Sequence, residues 1–152
     1  MQLAHYLGLL ERAERDLADA LRMVAEGHGD EPDVSSACRM LAGWSDRHAA
    51  ELRPFAARYG EEEESEPDRL HNDLFGDGTR SGPLGLLRDL HDLVLMATEC
   101  DISWTVVGQA AKGAKDKDLV QVVDACEQDT SRQLLWLKSR MKQAAPQILV
   151  VA

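Results

Sequence analysis

Apolar residues recur along this chain at alternating steps of three and four, the spacing that lines one face of an α-helix, and nowhere with the strict two-residue alternation of a half-buried strand. Four segments carry the pattern. The first, residues 2–26, places Leu3, Leu7, Leu10, Glu14, Leu17, Leu21 and Val24 in one seven-residue register and stops at Gly27-His28-Gly29. The second begins near Asp30-Glu31-Pro32-Asp33, where carboxylates cap free amides and proline fits the first turn, and ends at Gly60. Its register is Val34, Cys38, Leu41, Ser45, His48, Leu52, Phe55 and Tyr59. The third runs from Ser81-Gly82-Pro83 to near Gly113 with Leu86, Leu90, Leu93, Ala97, Cys100, Trp104, Val107 and Ala111 on one stripe. The fourth starts within Asp116-Lys117-Asp118, is predicted to stop before Pro146, and aligns Leu119, Val123, Cys126, Thr130, Leu134, Leu137 and Met141. Pro54 forfeits the amide bond to Ala50 and predicts a kink in the second helix. Internal Gly8, Gly43, Gly85 and Gly108 each weaken a helix by roughly 1 kcal/mol unless close packing compensates.

Connection lengths supply the topology. Short joins make helices one and two, and helices three and four, antiparallel hairpins. The join over residues 61–80 is long, opens with four glutamates, and contains Pro67, Gly76 and Gly78, with an apolar break at residues 70–75 suited to a short turn on the bundle. A helix of about 27 residues is roughly 40 Å long, and twenty linker residues reach roughly 65 Å. The expectation is an all-α, single-domain four-helix bundle with a long crossover between helices two and three, which then run parallel.

Two registers are interrupted at mid-helix. Glu14 lies about twelve residues before the first turn, and Ser45 and His48 lie about as far after it, so the three share a level. A buried carboxylate costs several kcal/mol unless it is paired or bound to a cation, and His48 is the natural partner. With helix three parallel to helix two, Cys100, Cys126, Glu127 and Thr130 arrive at the same height, and Glu99 flanks the third stripe. Glu14 and His48 then read either as a buried pair that fixes register or as ligands of one ion. A mixed set of His48, Glu14, Cys100 and Cys126 suits zinc by ligand type. The three cysteines otherwise read as core fillers.

In helix count, loop lengths and the level of these polar groups, the chain resembles the ferritin-like superfamily. Its di-metal members draw a carboxylate from each of two helices and Glu-x-x-His from the other two. The resemblance implies metal ligands at Glu14, His48, Glu99 and Glu127, lined by Ser45, Cys100, Cys126 and Thr130, with iron, manganese or zinc as cofactor. It also marks departures: Ser45-x-x-His48 puts serine where a bridging glutamate belongs, and Glu127-x-x-Thr130 puts threonine where the second histidine belongs. Such losses remove charge and coordination that two metals require. The expectation is a ferritin-like protein acting in binding or interaction without catalysis. The alternatives are a protein with a reduced metal site in a redox or storage role, and a carrier of an apolar small molecule among the small residues Ala97, Gly108, Ala110 and Ala111.

Composition narrows the partners. The 152 residues hold 17 Lys+Arg against 27 Asp+Glu, a net charge of −10. Nucleic acid and anionic membranes call for clustered cations that this chain lacks. Its longest uncharged apolar stretches, residues 93–97 and 148–152, fall far short of the roughly 20 needed to cross a bilayer. No basic n-region with an apolar core opens the chain, and Cys38, Cys100 and Cys126 form no Cys-x-x-Cys, so a cytoplasmic setting with reduced thiols is expected. His5, His28, His71 and His91 are expected to be solvated. The apolar tail after Pro146 is expected to be covered by the bundle or by a second subunit, which makes a homodimer through that tail or through a bundle face the expected assembly. No nucleophile elbow, phosphate loop or triad spacing is present.

Overall fold

The computed structural model describes residues 2–60 and 74–151. Four helices account for most of them: α1 (Gln2–Gly27), α2 (Pro32–Tyr59), α3 (Gly82–Gly113) and α4 (Lys117–Leu149). Their ends follow local chemistry. Pro32 occupies the first turn of α2, and Gly60 leaves that helix at φ +80°, a left-handed conformation that glycine adopts without strain. The Asp116 carboxylate accepts a hydrogen bond from the Leu119 amide at the start of α4.

Among the described residues, α1 packs on α2 and α3, and α4 packs on α3 and α2, while the backbones of the two diagonal pairs stay farther apart. Side-chain contacts give the directions. His28, just past α1, meets Asp89 near the start of α3, whereas Glu14 meets Trp104 farther along, so α1 and α3 are antiparallel. α1 and α2 form a hairpin, which makes α2 and α3 parallel. Arg58 and Tyr59 at the end of α2 bond to Asp116 in the α3–α4 turn. Thr79, just before α3, lies against Gly27 at the far end, so closely that a β-carbon on Gly27 would collide with it. The chain therefore leaves α2 at one end of the bundle and enters α3 at the other, which is the expected long crossover. Residues 61–73, which hold the glutamate run, Pro67 and His71, lie outside the described residues. Leu74 and Phe75 are half-buried against the core.

The whole α1 register is buried, Glu14 included, as are the predicted stripes of α2 and α3 apart from the half-buried Tyr59. On α4, Gln133 is buried while Leu134 is only half-buried, so the fourth stripe turns slightly toward α2. Two expectations need correction. α4 does not stop before Pro146 but continues through it to Leu149, because a proline in the last turn removes one amide bond while its carbonyl still accepts from Val150 and Val151. The bundle does not cover the tail: Leu149, Val150 and Val151 are exposed.

Candidate functional site

At mid-bundle the four helices bring one polar network into the apolar interior. Glu14 on α1 and His48 on α2 are both 0 % exposed. His48 Nδ1 donates to Glu14 Oε2 at 3.2 Å, and Trp104 Nε1 on α3 donates to Glu14 Oε1 at 3.0 Å. The other side of the imidazole is engaged as well, with His48 Nε2 3.0 Å from Asp129 Oδ2 on α4. The Trp104 and His48 rings stand edge to face, their centroids 5.9 Å apart. Asp129 reaches the surface, where Arg47 donates to it at 2.8 Å. A continuous path of hydrogen bonds thus runs from the buried indole through Glu14, His48 and Asp129 to an exposed guanidinium.

The protonation state follows from the partners. An ionised carboxylate only accepts, so a ring held between two carboxylates carries a proton on each nitrogen. Burial alone would depress the His48 pKa, but the hydrogen bonds and charges of Glu14 and then Asp129 outweigh it and hold the pKa above the ordinary value of 6.5. Burial pushes the Asp129 pKa up, and bonds from His48 and Arg47 pull it down more strongly, leaving it below 3.8.

The remaining predicted site residues distribute themselves around this network. Ser45 is buried one turn away and accepts from Gln133 Nε2 at 2.9 Å; the same nitrogen donates to the Leu41 carbonyl. Thr130 turns inward and donates to the Cys126 carbonyl one turn back. Cys100 is fully buried beside Glu14. Burial, then the charges of Glu14 and Glu99, raise its pKa well above that of an ordinary thiol. Cys126 donates to Glu51 Oε2 at 3.4 Å, and burial and that carboxylate raise its pKa too. Burial, helped by Asp33, moves Cys38 up to about 12. All three thiols therefore stay protonated, the form that neither attacks nor ligates well. Glu99 is half-buried on α3 next to Cys100.

Glu127 goes elsewhere. It lines a surface groove of about 150 Å³ between α3 and α4 with Gly108, Lys112 and Asp124, where burial and the charges of Asp101 and Asp124 raise its pKa. It belongs to a different face of the bundle from Glu14 and His48. Among the described residues, no three His, Cys, Asp or Glu side chains converge as metal ligands would. The chain matches no family model, no curated protein and no solved structure.

Asp129 and Gln133 escape a reading of the apolar stripe because each neighbours a position assigned to it, Thr130 and Leu134. A second buried cluster, at the end of the bundle, corrects the expectation of a solvated His28. That side chain is 4 % exposed and lies 2.8 Å from Asp89, itself 0 % exposed. Asp89 also accepts from the Arg80 backbone amide at 3.0 Å and from the Arg80 guanidinium at 2.8 Å, and the same guanidinium reaches Asp92 at 2.9 Å. The crossover returning over the α1–α2 turn covers His28. The available signal was Asp89 itself, a carboxylate between Leu86 and Leu90 in an otherwise apolar stripe.

Proposed function

We propose that this chain is a ferritin-like helical bundle whose former metal position has become a self-contained structural network, and that the protein works by binding a partner rather than by catalysis. The observation that carries this reading is the saturation of the central side chains: both oxygens of Glu14 and both nitrogens of His48 are bonded to groups of the protein itself. The donor set supports it further. Serine at position 45 and threonine at position 130 offer neither the negative charge nor the imidazole that iron or manganese chemistry needs. The network's ends are also unlike those of a catalytic centre, since one is a buried indole and the other a surface arginine.

Metal analysis of protein purified without chelators tests this. The expected result is iron, manganese and zinc far below one ion per chain, unchanged by His48→Ala. One ion per chain that is lost in His48→Ala would overturn the reading in favour of a reduced metal site.

A further inference from the structure

We propose that residues 76–81, the last stretch of the crossover, form a strap that lifts from the end of the bundle separately from the four helices, with Asp89 as its catch. This goes beyond the binding role proposed above and rests on the fold alone. The strap, Gly76-Asp77-Gly78-Thr79-Arg80-Ser81, contains no aliphatic or aromatic side chain, and each of its six residues is exposed or half-buried. The apolar burial that joins the helices therefore does not hold it down, and its opening exposes little new apolar surface. Its two ends are fixed. Leu74 and Phe75 pack against the core before it, and α3 begins directly after it at Gly82. Gly78 and Gly82 adopt φ +86° and +77°, where glycine turns without the restraint of a β-carbon, so one hinge lies within the strap and one at its end.

A buried carboxylate and a close fit keep the strap shut. Asp89 accepts from the Arg80 amide at 3.0 Å and from the Arg80 guanidinium at 2.8 Å, and the same guanidinium reaches Asp92 at 2.9 Å. His28, just past α1, bonds to Asp89 independently of the strap at 2.8 Å. Lifting Arg80 therefore leaves Asp89 with its histidine and lets water in, so no buried charge is stranded by the opening. The fit is made by two glycines. A β-carbon on Gly27 would collide with Thr79, and one on Gly85 would come within 2.9 Å of the Arg80 carbonyl carbon and β-carbon. His28 and Asp89 are both buried with the strap closed and are uncovered when it lifts, so the strap governs access to this end of the bundle.

Amide hydrogen exchange of the full chain, read residue by residue by NMR, tests this, with the Arg80 amide as reporter because its bond to Asp89 breaks when the strap lifts. In wild type that amide is expected to exchange at least about tenfold faster than amides at the middle of α1 and α3, and to ignore low urea concentrations that speed theirs. Gly85→Ala places a better helix former in α3 and a β-carbon against the strap, so exchange at residue 80 should rise about tenfold while mid-α3 amides stay as slow as in wild type or slower. Arg80→Met, which removes the guanidinium and leaves both glycines in place, should raise it similarly. Gly8→Ala, whose β-carbon meets nothing within 4 Å, strengthens α1 and should slow mid-helix exchange without changing residue 80. The proposal is overturned if residue 80 shares the rate and urea dependence of the mid-helix amides, if Gly8→Ala slows it in step with them, or if neither Gly85→Ala nor Arg80→Met moves it. Metal content at His48 bears on the function proposed above and leaves this result untouched.

Discussion

Glu14 serves two donors at once, and that changes what substitution there should do. Were Glu14 merely one half of a polar pair with His48, Glu14→Leu would be expected to be neutral or stabilising, because a buried ion pair is often no better than the hydrocarbon that would replace it. With Trp104 Nε1 and His48 Nδ1 both bonded to this carboxylate, Glu14→Leu strands two buried donors, and Glu14→Ala adds a cavity. Both single variants should therefore lose about 3–5 kcal/mol in urea denaturation. The triple change Glu14→Leu/His48→Leu/Trp104→Phe removes donors and acceptor together and should fall within about 1–2 kcal/mol of wild type, with Asp129 still paired to Arg47 at the surface. Equal loss in the single and triple variants would show that shape rather than polarity holds this layer.

The meeting of Glu14 and His48 was legible because each breaks an apolar register at the same height. The other contributors were not, for a geometric reason. One residue along a helix is a rotation of about 100°. Glu127, one step past Cys126, swings toward α3, and Asp129, one step before Thr130, swings toward α2 and reaches His48 from there. A motif search for Glu-x-x-His therefore selects Glu127, whereas the carboxylate of α4 that reaches His48 is Asp129.

At the scale of the element, four internal glycines looked alike in sequence and differ in surroundings. A β-carbon at Gly8 or Gly43 would meet nothing within 4 Å, whereas at Gly108 it would come within 3.0 Å of Val123 on α4, and at Gly85 within 2.9 Å of the Arg80 backbone. The last two glycines let neighbouring chain segments approach; the first two only weaken their helices. Gly43→Ala should raise stability by about 1 kcal/mol through helix propensity alone, and Gly108→Ala should not. Thermal unfolding of the two variants checks this, and stabilisation by Gly108→Ala would mean that α3 and α4 are not held as closely as described. Helix starts and stops were readable from Pro32, Gly60, Asp116 and the glycine pair around His28 because capping is a local matter. The true end of α4 was not, since a proline in a final turn forbids so little.

Across the whole molecule, the four helices meet around one charged histidine, so its titration should appear in global stability. His48 has its pKa raised in the folded protein, and its contribution is therefore full below about 6.5 and lost as pH rises through the higher folded value. Asp129 has its pKa lowered, so its contribution is present above about 3.8 and lost as pH falls through the lower folded value. Between those limits the network contributes most. His48→Gln should flatten the alkaline side of the profile while leaving a less stable bundle. The overall architecture was readable from loop lengths, because only a long join allows parallel neighbours in the chain order seen here. The capping of the bundle end by Arg80, Asp89 and His28 was not, since it depends on where the crossover returns.

The central claim is that both nitrogens of His48 are held by carboxylates inside the bundle, and ring-nitrogen NMR of the folded protein titrated with pH reads that state directly. The account predicts an imidazole that titrates with a midpoint above 6.5 and is doubly protonated below that midpoint, with two slowly exchanging N–H signals. A ring that titrates at or below that value with rapid exchange, or that carries one unprotonated, metal-bound nitrogen, would contradict it.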